Sequence, residues 1–227
     1  VFAEGSDVTE RVRSEEHQRL LLNELNHRVK NTLTTVQSIV SQTLRTAGST
    51  AAAQEAIEAR LFALSRAHDV LTRENWDGAW IGEVVAQAIS PFQAAGQKRI
   101  HGQGTEVRLP PNVALALAMA LQELATNAVK YGALSNGTGQ VSISWTVDRA
   151  RDIPHLVLTW EESGGPPVTP PARRGFGTRL VERSLAQGRM AGNARISFAS
   201  TGVVCTIAAP LGAAVGESMP WSPGAPS

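Results

Sequence analysis

The stretch from Leu115 to Gly132, LALAMALQELATNAVKYG, constrains this chain more than any other. Read as a helix it is apolar nearly all round, with Leu115, Leu117, Met119, Leu121, Leu124, Ala125, Ala128 and Val129 expected to be buried. A chain holding such a helix must wrap it in other elements. One narrow polar stripe interrupts it. At about 100° per residue, Glu123, Asn127 and Lys130 fall within roughly 60° of one another on one face. A carboxylate, a carboxamide and an ammonium along a buried helix are costly to desolvate unless something pairs with them. A divalent metal carrying a phosphate chain suits all three. The carboxamide oxygen of Asn127 can ligate Mg²⁺, Lys130 can meet a phosphate as a point charge, and Glu123 can act on the metal shell or a bound water. The plainer alternative is an internal Glu123–Lys130 pair capped by Asn127.

Composition narrows the classes of function. With 21 basic and 20 acidic residues, bulk charge favours neither nucleic acid nor membrane. The single cysteine, Cys205, excludes a disulfide framework and a cysteine-based metal site. The five histidines show no ligand spacing. No uninterrupted apolar run approaches the roughly 20 residues that cross a bilayer, and no signal peptide is evident. The chain begins mid-pattern without Met, which reads as a piece of a longer, cytoplasmic protein.

From a Gly-Ser-Asp turn near Ser6 and Asp7 to about Ala47, no Pro or Gly intervenes. Leu22, Leu25, Val29, Val36, Val40 and Leu44, with Leu33 or Thr32 filling the gap, predict a long amphipathic helix with a seam for another helix. Gly48 ends it, and Ser49 or Thr50 caps a second helix over about 51–73, with a stripe of Ile57, Leu61, Leu64, His68 and Leu71. Together they form an antiparallel hairpin, two of which make a four-helix bundle. His27 and Asn31 share one face of the first helix, off the apolar seam. His68 sits on the core stripe and is expected to hydrogen-bond inside the bundle.

A domain boundary is expected near Asn75, before the Asp77-Gly78 turn. A short strand over 79–81, a helix over 82–95 and a strand within 101–109 lead to Pro110-Pro111, which opens the central helix. Strands follow over 141–148 and 155–160, then a helix over 177–187, then a hairpin of 195–198 with 203–208. The tail from Leu211 reads as loosely docked. This order gives an α+β chain: a helical hairpin, then a two-layer α/β sandwich with a mixed sheet and helices on one face.

Two further polar clusters join the central helix. Trp160-Glu161-Glu162-Ser163-Gly164-Gly165 places a carboxylate at a strand end, where Gly164 lets a nucleotide base approach. Glu162 is the residue expected to accept from an exocyclic amine, with Glu161 on the opposite face. Arg173-Arg174-Gly175-Phe176-Gly177-Thr178 opens a helix whose backbone N–H groups and arginines suit phosphates. In chain order the three clusters supply metal ligand, base reader and phosphate cradle.

At this point LNELNHRVKNTL, ELATNAVKYGALS, WEESGGPPV and RRGFGTRLVE resemble the signature boxes of the HWE group of bacterial sensor histidine kinases, within the Bergerat ATPase superfamily. The resemblance runs from about Leu20 to Leu211. It implies a linker helix from an upstream PAS-like sensor over 1–19, a dimerisation and phosphotransfer hairpin over 20–75, an ATP-binding domain over 76–212 and a flexible tail over 213–227. By position His27 matches the phosphoacceptor and Asn127 the Mg²⁺-binding asparagine, with Glu123, Lys130 and Tyr131 completing that box. Trp160 and Glu162 match the tryptophan and glutamate of the group's name. Gly164, Gly175 and Gly177 match glycines around base and phosphates, and 166–174 a short ATP lid that includes Arg174. The box usually carries His where this chain has Gln122. Of Val203 and Thr206 on the late strand, only Thr206 could hydrogen-bond near the base.

The resemblance therefore implies ATP and Mg²⁺ as cofactors, autophosphorylation of His27 with Asn31 or Glu24 orienting its ring, and transfer to a response-regulator receiver domain. It leaves room for a homodimer through the hairpin. Two other readings stay open: a regulatory scaffold that binds ATP and a regulator without phosphoryl transfer, and an ATPase in which Glu123 activates water.

Overall fold

The computed structural model describes residues 4–74, 76–93, 98–150, 152–168 and 192–211. The Arg174, Gly175, Gly177 and Thr178 cluster, the helix expected over 177–187 and the tail from 212 lie outside the described residues, as does the Glu24 side chain. The chain forms two compact units, Val1–Glu58 and Ala59–Ser227, so the division falls inside a helix and not near Asn75.

The first unit holds α1, Glu4–Thr46, and the start of α2, Thr50–Arg73. The Ser49 hydroxyl accepts the Ala52 N–H at 3.2 Å, the capping expected of it. Ile39, Gln42, Thr43 and Ala53 are buried. Of the expected seam, Leu22, Leu25, Val29, Leu33 and Leu44 are all exposed within this single chain.

The second unit is built on a five-stranded sheet in the order β2–β4–β5–β7–β6. These strands are β2 Ile100–Gly104, β4 Gln140–Asp148, β5 His155–Ser163, β6 Asn193–Ala199 and β7 Gly202–Pro210. Only β2 and β4 pair in parallel, because the chain between them crosses over through α4, Pro111–Lys130. A two-stranded ribbon of β1, Ala79–Trp80, and β3, Arg108–Leu109, flanks α3, Ile81–Ile89. The helix expected to reach residue 95 stops at 89 and tightens into a 3-10 turn over Ser90–Phe92. Pro91 explains this, since it has no N–H to continue the ladder.

The core joins α3, α4 and the C-terminal part of α2 to one sheet face. Leu156, Leu158 and Trp160 of β5 are fully buried and alternate with half-buried Val157 and Thr159. Each such side chain contributes about 1.5–3 kcal/mol by leaving water. Trp145 adds its indole, whose N–H donates to the Thr105 carbonyl at 3.0 Å. In α4 the expected burial holds for Leu117, Met119, Leu121, Leu124, Ala125 and Ala128 but not for Val129, which is 44% exposed, nor fully for Leu115. The helix leaves the core at its last turn. By length and composition α4 could cross a membrane, but it is 67% buried within the unit, which makes it a core helix.

On α2 the buried positions are Ala53, Arg60, Ala63, Leu64, Ala67, Val70 and Leu71; Leu64 and Leu71 are buried as expected, while Ile57, Leu61 and His68 are only half-buried. His68 is half-buried, its ring meeting Trp76 edge-on at 4.9 Å between centroids. Burial lowers its pKa, partly offset by Asp69.

Glu106, between β2 and β3, carries a buried Oε2 without a partner. Its pKa is raised by desolvation and, less, by Glu83, against the Gly82 N–H that holds the charged form. A carboxyl raised on folding favours the protonated native state, so its contribution is full below the unfolded carboxyl pKa and is lost as pH rises through the folded one. Thermal melts across the acidic range should therefore show wild type losing stability on that rise relative to Glu106→Gln. Parallel curves would remove Glu106 as the cause.

Candidate functional site

The last turn of α4 presents Asn127, Lys130 and Tyr131 to solvent, with Tyr131 74% exposed. The helix ends because Tyr131 leaves helical geometry at φ −138°, while the N–H groups of Tyr131 and Gly132 both donate to the Asn127 carbonyl, at 2.8 and 3.1 Å. The Asn127 carboxamide has no hydrogen-bond partner among the described residues. A polar side chain held on a rigid helix end and unengaged by its neighbours is available to a ligand.

Beyond the helix the chain is tied down closely. Glu162 is 5% exposed, inside β5 and paired with Val141 of β4. Its Oε2 accepts the Ala133 N–H at 2.8 Å, and its Oε1 accepts the Trp160 indole N–H at 3.1 Å. A Cβ at Gly132 would collide with the Glu162 carboxylate, so any larger residue there displaces that carboxylate. The Asn136 side chain donates to the Gly164 carbonyl at 2.9 Å and accepts the N–H groups of Thr138 and Gly139 at 3.1 and 2.8 Å. Arg99 reaches the same turn, donating to the carbonyls of Asn136, Gly139 and Leu134 at 2.6, 3.3 and 3.4 Å. Gly164 adopts φ +69°, a left-handed turn that an L side chain resists. Gly165 passes so near Ala133 that a Cβ would lie 2.6 Å from its Cα. The result is a fixed wall running from the end of α4 to the end of β5.

Three expectations change at this site. Glu162 is internally engaged: both oxygens serve this wall, so the residue expected to read a base edge instead holds the backbone beside it. The opposed orientation of Glu161 is as expected, for Glu161 is exposed. Glu123 does not stand open beside Asn127. Its carboxylate forms a two-point ion pair with Arg60, Nε to Oε1 at 2.7 Å and a terminal nitrogen to Oε2 at 2.9 Å. Thr206 pairs with Thr159 across β5 and β7, while Trp160 pairs with Cys205. Side chains alternate along a strand, so Thr206 lies on the sheet face opposite Glu162, and Val203 falls on the Glu162 face.

The neighbouring Gln122 is buried, and its side-chain Oε1 accepts from Arg66 at 2.8 Å. Burial lowers the Arg66 pKa, and its Nε is buried without a partner. His27 and Asn31 are exposed on α1, and the Asn31 carbonyl accepts the Thr35 hydroxyl at 3.0 Å. Sequence reasoning missed Arg60, Arg99 and Asn136, all of which act across long separations.

For the implied Mg²⁺, no cluster of three His, Cys, Asp or Glu side chains occurs among the described residues. A Mg²⁺ ion that takes one or two protein oxygens completes its shell with water and phosphate. The open carboxamide of Asn127 fits such a role; Glu123, paired with Arg60, does not in this arrangement.

The fold is that of a histidine kinase domain. The histidine kinase domain of the blue-light-activated histidine kinase of Erythrobacter litoralis superposes with a TM-score of 0.50, at 15% identity, over 80% of this chain and 94% of that one. A longer structure of that kinase gives 0.53 at 18% identity, over 80% of this chain and 59% of that one. Residues 24–106 match the HWE histidine kinase family. It is 42% identical over 205 residues to the blue-light-activated histidine kinase of Brucella ovis and 44% identical over 209 residues to that of Brucella anthropi. Those alignments cover 90% and 92% of this chain and 42% of each relative, so the chain spans less than half their length.

Proposed function

We propose that this chain is the kinase core of a sensor histidine kinase, which transfers the γ-phosphoryl group of ATP to His27 and then to an aspartate of a response-regulator receiver domain. The observation that carries the reading is the Asn127 carboxamide at the end of α4, without a hydrogen-bond partner among the described residues and beside a wall fixed by Glu162, Asn136 and Arg99. Asn127 would hold Mg²⁺, whose charge offsets that of the phosphates. Lys130 and Tyr131 extend the same exposed helix end toward the nucleotide, and Gly164 keeps backbone, not side chain, against the base. Glu162 contributes by position, and the 173–178 cluster with Arg174, Gly175, Gly177 and Thr178 would cover the phosphates.

In the chemical step a neutral ring nitrogen of His27 forms the new N–P bond. The bond from the γ-phosphorus to the bridging oxygen breaks, its electron pair leaves with ADP, and the ring proton passes to water. Asn31, one turn on, would steady the ring. The exposed seam of Leu22, Leu25, Val29 and Leu33 supports a hairpin that pairs with a second copy. An upstream sensor segment and a cytoplasmic location complete the reading.

Incubation with Mg²⁺ and γ-labelled ATP should leave an acid-labile, base-stable label on the protein. Asn127→Ala should weaken Mg²⁺-dependent ATP binding by about tenfold or more, as expected when a ligand-binding polar contact is lost. Calorimetric titration measures it. Unchanged binding in the variant would remove Asn127 from the site, and absence of label with intact binding would favour the scaffold reading.

A further inference from the structure

We infer that Arg60 is an ionic latch that withholds Glu123 from the Mg²⁺·ATP site, so that the second hairpin helix sets how tightly the metal-bound nucleotide is held. The inference rests on the functional reading above and concerns a residue outside its signature boxes.

The geometry is specific. The Arg60 and Glu123 side chains are 11% and 14% exposed, and two parallel N–H···O bonds join them. A fork-to-fork pair of this kind occupies one lone pair on each carboxylate oxygen and neutralises the charge. Glu123 lies one helical turn before Asn127 on the same face of α4, within reach of what Asn127 binds. While Arg60 holds it, that carboxylate faces α2. Once released, it becomes a poorly hydrated, unpaired anion, which a nearby divalent cation relieves.

The second helix has independent reasons to stay in place. Arg66 donates to Gln122 one residue from Glu123, and Ala63, Leu64, Ala67, Val70 and Leu71 are buried along the same stretch. Loss of Arg60 therefore unlocks the carboxylate without undocking the helix. The same placement gives a rotation of α2 a direct route to the nucleotide: it moves Arg60 relative to Glu123. A ligand that binds better to the released state shifts the equilibrium by that difference in affinity and no more.

The test is calorimetric titration of ATP into wild type, Arg60→Met, Glu123→Gln and the double variant, each with Mg²⁺ and with EDTA. Arg60→Met should bind Mg²⁺·ATP about five- to tenfold tighter than wild type, at the lower end of usual site-to-site couplings. Without metal the two should be equal, and the double variant should match Glu123→Gln alone. Arg60→Lys keeps the charge and loses the fork, so it should fall between wild type and Arg60→Met; it carries the same comparison if Arg60→Met does not fold. Arg60 variants that bind Mg²⁺·ATP no tighter than wild type overturn the latch. So does tightening that persists in EDTA or in the Glu123→Gln background. Wild type that binds no ATP at all is a different result, which overturns the functional reading itself.

Discussion

His27→Ala should take no label from γ-labelled ATP under conditions in which the wild type is labelled, while its ATP affinity stays within a few-fold. His27 is exposed on α1, in the unit that ends at Glu58, whereas Asn127, Lys130 and Glu162 belong to the unit that starts at Ala59. Alanine is the better helix former and the site is solvated, so stability should change by less than about 0.5 kcal/mol. A loss of labelling then reports chemistry and not folding. Autoradiography after gel separation, with calorimetry on the same samples, makes the comparison. Labelling at the wild-type rate would show that another side chain accepts the phosphoryl group.

The second large effect is on stability. Glu162→Ala removes the acceptor for the Ala133 N–H and for the indole N–H of Trp160, which is fully buried. Leaving two donors buried without partners costs about 2–6 kcal/mol, before any cavity contribution. ATP affinity should fall with it, since Gly132 and Ala133 would no longer be pinned against β5. Glu162→Gln keeps an acceptor for one donor and turns an amide NH₂ toward the other, so it should fall between. Exposed Glu161→Gln should stay within about 0.5 kcal/mol of wild type. Urea unfolding midpoints at constant slope measure the series. If Glu162→Gln kept wild-type stability and narrowed the preference for ATP over GTP, Glu162 would be a base reader after all.

The parts of this molecule that were legible beforehand are those in which a local pattern decides the outcome. The apolar run of α4 and the alternation in β4 and β5 each report an environment repeated over many residues, and the Pro-Pro entry marks where α4 starts. Pro91 is local too, and attention to its missing N–H would have placed the end of α3. On α2 the expected stripe holds at Leu64 and Leu71, but Ala53, Ala63 and Ala67 share the buried face, and alanine contributes little to an apolar pattern. Arg60–Glu123 and Arg99 with Asn136 span 63 and 37 residues, and nothing in either neighbourhood announces the partner. Thr206 carries a hydroxyl suited to a base contact, but strand parity decides which face it occupies. Parity follows from the pairing of Trp160 with Cys205, which only the assembled sheet shows.

The alanines have a consequence of their own. Where Ala63 and Ala67 of α2 border a small cavity with Ala88 of α3 and Ala114 and Ala118 of α4, short side chains give shallow ridges and little to interlock. Such a seam, which Arg66, Val70, Val84 and Gln87 also line, interlocks less than one built of long apolar side chains and resists a few degrees of turn less. Shape then says little about the angle at which α2 comes to rest. That choice falls to a handful of hydrogen bonds, which can be exchanged one at a time, so a small input can be geared into a discrete change without disturbing the hydrophobic mass beneath.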